Sequence, residues 1–386
     1  MAARSPGEQR FFDLQDQVRR HGLSDEVAAL EGCIDDTTNP SLQGEMAKLL
    51  GFYWLRRGDP AKAAYWSGLA CQRLPADRDA AYNAAYACFL NGEWEATVTR
   101  ARSALHRCGE HFLFYTILSA ALGALGRMTE VRIVGTRCLE LKAETTLAPA
   151  FDLSHVSVPP FTTAQSARNV IAFSLFGAQR KYLDGALLNA RAAPFLYPGW
   201  TCRFYVDASV PPQVVQALQQ QGAQVMSVNG LPADPYGMFW RFLVADDATV
   251  DRYVLRNADS LINVRERVAV DAWIDSGRHF HVMRDHFDHA DLILAGLWGG
   301  VRGALPPLLP AIRAWLANTE RGLGYSAERT FLREALWPTV RQSVLTHDSQ
   351  FDFNGDSDFP SVGRLPPGCW VGCDWPRLQR TVDLAV

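Results

Sequence analysis

Leu-Arg-Arg-Gly-Asp at 55–59, Leu-Asn-Gly-Glu at 90–93 and Leu-Gly-Arg at 125–127 repeat one turn, with Gly58, Gly92 and Gly126 spaced 34 residues apart. Working outward from each glycine, a small or β-branched residue stands five positions on (Ala63, Thr97, Val131). Another stands twelve positions on (Ala70, Ala104, Cys138). Large residues fill the remaining seam: Leu50, Trp54, Tyr82, Tyr86, Tyr115 and Leu118. The frame covers roughly residues 44–142, and residues 8–40 read as one further, degenerate helical pair with Gly22-Leu23 as its turn. Self-similarity at this period marks an array of short units. Such units cannot bury their faces alone, so they stack into a solenoid.

The frame resembles the tetratricopeptide repeat, in which glycine opens the turn between two antiparallel helices and the small residues let those helices approach. Pro75 closes the first repeat where that family has its terminal proline. The resemblance implies a helical solenoid over residues 1–145. Two roles stay open for it: a concave face that binds a partner protein, or a buttress for the domain that follows.

Composition narrows the function classes. The chain has 386 residues, 48% hydrophobic and 20% charged, with 38 Lys plus Arg against 41 Asp plus Glu and a net charge of −3. A generic polyanion-binding protein needs surplus Lys and Arg, so no nucleic-acid partner is expected. No apolar run approaches the roughly 18 residues of a membrane-spanning helix, and the first ten residues lack the apolar core of a signal peptide. The expected location is cytoplasmic. The eight cysteines form no C-x-x-C pair and several fall within helical apolar patterns, which reads as reduced thiols rather than a disulfide framework or structural zinc.

The period changes after residue 145. Residues 146–168 contain Pro149, Pro159, Pro160 and a Thr/Ser/Gln stretch, the composition of a linker. Over 169–386 short β-type runs alternate with helical segments. Strands are predicted at Asn169–Leu175, Thr201–Val206, Ala223–Val228, Arg252–Arg256 and Phe280–Met283. Helices are predicted at Tyr182–Ala193, Pro211–Gln221 and Asn263–Ser276, the last with Asn263 as N-cap and Glu266 in the reciprocal capping position. Alternating strands and helices build an α/β sheet, and ligands of such sheets bind at the carboxyl ends of the strands.

The window Tyr253–Gly300 carries most of the polar candidates. Arg256-Asn257-Ala258-Asp259-Ser260 brings a carboxylate to a strand end, a suitable place for Mg2+ or Mn2+, which take oxygen ligands and leave positions open for phosphates. The alternative is that Asp259-Ser260 caps the following helix. Further on stand Arg265-Glu266, Trp273–Ser276, Arg284-Asp285-His286 and Gly296–Gly299. Together with Phe173–Gly177, Tyr182, Tyr197–Trp200, Phe204–Asp207, Phe239–Phe242, Phe331-Leu332, Trp337-Pro338 and His347–Ser349, these motifs resemble a bacterial family of glycosyltransferase-like domains of the GT-A type. Members are often joined to tetratricopeptide repeats. The match runs over about residues 169–350.

The resemblance implies transfer of a sugar from a nucleotide-sugar donor to a glycan, a lipid-linked glycan or a protein, with Mn2+ or Mg2+ bridging the diphosphate. It assigns Asp259 and His347 to the metal. Ser174, Phe176, Gly177 and Tyr182 go to the nucleotide, Arg241 or Arg256 to its phosphates, and Asn257 counts among the residues that bind the nucleotide sugar. Trp298 would stack on a sugar face or lie in the core. Asp285 and Glu328 are the candidate bases, Asp285 alternatively a structural ion pair. Two departures stand out. The first acid of the family's Asp-x-Asp motif is Asn257 here, which offers an oxygen without charge. An Asp-Gln pair before Phe331-Leu332 is replaced by Glu328-Arg329. They keep a second reading alive, a non-catalytic scaffold with a degenerate transferase-like domain. His281, His286 and His289 match no helical i, i+4 pair, so zinc is not favoured. Asp348, Asp352, Asp356 and Asp358 lack the terminal glutamate of a calcium loop and read as a solvated polar loop.

Overall fold

The computed structural model describes residues 5–146, 148–228, 236–318 and 327–383. The chain divides into two compact units, Met1–Leu141 and Lys142–Val386.

The first unit is helical: α1 (Pro6–His21), α2 (Pro40–Arg57), α3 (Pro60–Arg73), α4 (Arg78–Leu90), α5 (Trp94–Cys108), α6 (Phe112–Ala124) and α7 (Met128–Glu144). Local chemistry sets the starts. Asn39, Asp59 and Asp77 each accept a hydrogen bond from a backbone N–H of the helix they precede, satisfying donors that have no partner within the helix. Gly58, Gly92 and Gly126 end α2, α4 and α6 at φ of 74°, 75° and 72°, a left-handed backbone that costs a side chain free energy. All six small or β-branched residues at the repeat positions are 0% exposed, so the 34-residue frame is the packing frame. Consecutive helices from α2 to α6 pack as neighbours, and α2 and α6 each also touch α4. That is the stacking of a helical-hairpin array.

Residues 8–40 depart from expectation. They form α1 and then two 3₁₀ turns, Asp25–Gly32 and Ile34–Asp36, instead of a helical pair. Val27 and Leu30, both fully buried, are three apart. A 3₁₀ turn places every third side chain on one line, so it buries both without a full second helix.

The second unit is a sheet with helices. In chain order it runs β1 (Asn169–Leu175), α8 (Arg180–Leu196), β2 (Thr201–Val206), α9 (Pro212–Gln220), β3 (Gln224–Ser227), β4 (Arg252–Arg256), α10 (Val264–Ser276), β5 (Phe280–Arg284) and β6 (Trp298–Val301). It continues with α11 (Leu308–Asn318), α12 (Ala327–Phe331), α13 (Trp337–Val340), β7 (Val344–Asp348) and α14 (Trp375–Asp383). The strand order is β3-β2-β1-β4-β6-β5-β7. β6 is antiparallel to both its neighbours and the other pairs are parallel. Residues 170–173 of β1 are 0% exposed, as expected of a strand covered on both faces.

One strand carries little local signal. β6 reads Trp-Gly-Gly-Val, and glycine weakens a strand. It is admitted because a Cβ on Gly299 would come 2.5 Å from the Tyr253 carbonyl oxygen, too close for any other residue. The stretch expected as a linker is also packed on this unit. Phe151 N–H donates to Thr339 Oγ1 at 2.9 Å, Arg252 Nη2 donates to the Pro159 carbonyl at 3.0 Å, and His279 Nε2 lies 2.8 Å from the Val156 carbonyl. Among the described residues no helix is long and apolar enough to cross a membrane.

Candidate functional site

The registers put the carboxyl ends of β1, β2, β3, β4, β5 and β7 on one edge of the sheet, beside the start of β6. Phe173 pairs with Arg256 across β1 and β4. Ser174 therefore faces the Asn257-Ala258-Asp259 turn, and the candidates from β1, α8 and β4 meet here. Ser174 Oγ accepts the Arg241 N–H at 3.0 Å. Arg241 Nη1 donates to Asn257 Oδ1 at 2.6 Å and to the Arg256 carbonyl at 3.0 Å, while Nη2 donates to Glu328 Oε1 at 2.6 Å. Lys181, in the first turn of α8, donates to Asp259 Oδ2 at 3.0 Å, and its ammonium lies 4.4 Å from the Tyr182 ring centroid. Gly177 N–H donates to Ser209 Oγ at 2.6 Å. Phe176 is exposed and sets its ring edge against Trp240.

Electrostatics follow from this packing. Burial pushes the Glu328 carboxyl above its ordinary pKa, with Arg241 opposing. For Lys181, burial works against the charge, but the hydrogen bonds to Asp259 and Tyr182 outweigh it and the pKa is raised. Asn189, wholly buried on α8, holds the turn after β4 in place. Its amide donates to the Ser260 carbonyl at 2.8 Å and accepts the Ile262 N–H at 2.9 Å. The chain near the C-terminus crosses the same edge. Val371 N–H donates to Asp285 Oδ2 at 3.0 Å, Ser260 Oγ to the Gly372 carbonyl at 2.8 Å, and Trp375 N–H to the Asp259 carbonyl at 2.8 Å.

Four candidates lie elsewhere or are already committed. Arg256 is 1% exposed and pairs with Glu266 at 3.2 Å, and Tyr197 donates to the same carboxylate oxygen. It points into the core, away from any diphosphate. Glu266 accordingly does not reach back to the cap. Asn263 alone caps α10, accepting the Glu266 N–H at 3.0 Å. Trp298 is 0% exposed, with its ring edge-on to Phe242 and Tyr253, so it is core and no sugar face can reach it. Asp285 accepts from Arg265 Nε and Nη2, from Ser349 Oγ at 2.7 Å and from Val371 N–H. Four donors hold it as a structural anion, and its ion-pair partner is Arg265.

His347 sits on β7 at 3% exposure, with Nδ1 2.8 Å from His281 Nε2. Burial lowers its pKa to about 4. The expected metal pair does not assemble. β4 and β7 are separated by β6 and β5, about 14 Å at the usual strand spacing. Asp259 turns toward α8, so it and His347 cannot reach one ion at about 2–2.6 Å. Asn257 and Asp259 already accept hydrogen bonds from Arg241 and Lys181. Among the described residues no group of three or more His, Cys, Asp or Glu could hold a metal. The donor set does not fit Mn2+ or Mg2+. The acidic stretch is a solvated loop only in part: Asp352 and Asp358 are exposed, whereas Asp348 and Asp356 clamp the fully buried Arg284 at 2.6 Å each.

Lys181 and Asn189 shape the site and belong to none of the motifs, while Arg265 lies in the Arg265-Glu266 motif but takes its role only from Asp285. Lys181 had a readable signal, because Arg180-Lys181 places two cations in the first turn of a helix, where acids are usual. The pairings of Arg265 with Asp285 and of Asn189 with Ser260 had none, since the partners are distant in sequence.

No protein-family model matches the chain, and no curated protein does. Among solved structures it is similar to a mutant O-GlcNAc transferase of Thermobaculum terrenum, at 17% identity and a TM-score of 0.39, over 66% of this chain and 47% of that one. It is also similar to the TPR2AB domain of yeast Sti1 in complex with pHSP90, at 15% identity and 0.26, over 34% and 54%. A mycobacterial protein follows at 14% and 0.27, over 42% and 61%. The chain thus spans about half the length of the structures it matches. At these scores the likenesses carry no argument about fold or activity.

Proposed function

We propose that the second unit is a GT-A-like domain that binds a nucleotide sugar at the carboxyl edge of its sheet and transfers the sugar to a glycan, lipid-linked or protein acceptor. One observation carries the reading. Ser174, Phe176, Gly177, Tyr182, Asn257 and Asp259 gather at the ends of β1 and β4 and the start of α8, where an α/β sheet takes its ligand. In the reaction the bond from the sugar's anomeric carbon to the diphosphate oxygen breaks, and its electrons leave with the nucleoside diphosphate. The acceptor oxygen forms the new bond and gives up its proton. Glu328 is better suited than Asp285 to take that proton, because burial raises its proton affinity while Asp285 is tied by four donors. Arg241 is the positioning group that holds Glu328 and Asn257 together. No step is assigned to a metal.

For the first unit we propose a partner-binding role. A groove of about 380 Å3 lined by Phe11, Glu45, Lys48, Leu49, Phe52 and Asp79, among others, offers mixed apolar and charged contacts to a protein segment.

Titration of the full chain with UDP-glucose and GDP-mannose tests the donor reading. Saturable binding of one of them is expected, with about tenfold weaker binding by Asp259→Ala. Failure of both, and of their free diphosphates, removes it. The scaffold reading rests on the neutralised carboxylates, Asp285 by Arg265 and Glu328 by Arg241. Nucleotide binding without sugar hydrolysis or transfer to any acceptor tried would favour it.

A further inference from the structure

The turn that follows β4 carries one carboxylate, Asp259, and one uncharged oxygen donor, Asn257, and each already faces a cation of this chain. Lys181 donates to Asp259 Oδ2 at 3.0 Å, and Arg241 donates to Asn257 Oδ1 at 2.6 Å. A divalent ion bound between them would have to displace an ammonium and a guanidinium for a single charged ligand. Hard cations of this type are held through carboxylates and phosphate oxygens, so the exchange is unfavourable.

We propose that the Lys181 ammonium stands in the place of a divalent cation and binds the diphosphate of the nucleotide directly, so that nucleotide binding by this protein is independent of metal. The inference rests on the nucleotide reading above. The charge count supports it: with asparagine at 257, the turn has one carboxylate and needs one cation, which Lys181 supplies. The lysine side chain keeps 42% of its surface exposed while Asp259 keeps 14%. The carboxylate is therefore the buried anchor and the ammonium the accessible group. The Tyr182 ring at 4.4 Å supports the same ammonium, a cation–π contact that leaves the charge in place. Asp259 is then a positioning residue that orients the ammonium, and phosphate oxygens are accepted by charge-assisted hydrogen bonds. Arg241, 5% exposed, contributes by fixing Asn257 rather than by touching phosphate.

The test is calorimetric titration of the full chain with UDP and with GDP, each in excess EDTA and in excess Mn2+. One nucleotide is expected to bind in EDTA with an affinity within about twofold of that in Mn2+. Lys181→Met is expected to weaken binding in EDTA by about tenfold or more. Lys181→Arg, which keeps the charge, is expected to restore most of it. Because Lys181 is half-exposed its replacement leaves the core intact, and rescue by arginine separates lost charge from lost fold. Binding in Mn2+ but not in EDTA overturns this inference and leaves the nucleotide reading standing. So does wild-type affinity of Lys181→Met in EDTA. Absence of binding to either nucleotide in both solutions overturns the nucleotide reading and this inference together.

Discussion

Asp285 and Arg256 show how a single residue's role turns on its partners. Both have the chemistry for a site, an acid and a cation at strand ends. Both are consumed by neighbours, Asp285 by Arg265, Ser349 and a backbone N–H, and Arg256 by Glu266. Arg256 and Glu266 are each 1% exposed, so removing one partner leaves an uncompensated charge in the interior. Glu266→Ala is therefore predicted to destabilise the second unit by about 3–5 kcal/mol, read as a lower denaturant midpoint. Asp358→Ala, at an exposed position, should stay within about 0.5 kcal/mol of wild type. A loss below about 1 kcal/mol for Glu266→Ala would falsify the structural role assigned to the pair. Asp259 differs in kind. Its partner is a half-exposed lysine, and a ligand can reach that cation.

Among the elements, the helical pairs follow from rules that act within a few turns of chain. Gly92 is favoured as glycine because its φ is 75°. Gly68, inside α3, has no such need: a Cβ there would meet only the tip of Arg100 at 3.8 Å. Two glycines in one repeat array thus give opposite predictions. Gly92→Ala should cost about 1–2 kcal/mol, whereas Gly68→Ala should stabilise by about 0.5–1 kcal/mol by removing unfolded-state freedom. Thermal midpoints of the two variants decide it, and equal shifts of the same sign would defeat the argument. The same local rules explain why five strands of the sheet and three of its helices were legible to within a few residues. They also explain why β6 and β7 were not: β6 has glycine where strand propensity asks for branched residues, and β7 offers only Val344-Leu345-Thr346 before the polar His347-Asp348.

Across the whole molecule, buried titration couples stability to pH. His281 and His347 share a hydrogen bond between β5 and β7, and burial lowers both pKa values, His347 to about 4 against an ordinary 6.5. Above pH about 6.5 neither the folded nor the unfolded chain protonates His347, and its contribution is fully present. As pH falls toward 4 the unfolded chain binds a proton that the folded chain refuses, so stability drops. His347 alone accounts for about 2 kcal/mol between pH 7 and pH 5. Denaturant midpoints at the two pH values should differ accordingly in wild type and less in His347→Gln, and equal slopes in the two proteins would remove His347 as the cause.

The amino-acid sequence by itself determined the division into a repeat array and an α/β unit, the 34-residue packing frame and most of the strands, because hairpin packing, capping and strand alternation are set by neighbours close along the chain. It also placed Ser174, Phe176, Gly177, Tyr182, Asn257 and Asp259 at strand ends and a helix start. Only the tertiary structure decided which charges remain available. Arg241 meets Glu328 across 87 residues, Lys181 meets Asp259 across 78, and His281 meets His347 across 66. The insertion of β6 between β4 and β5 keeps His347 away from Asp259. Pairing, burial and strand order arise from long-range packing, and no local period encodes them.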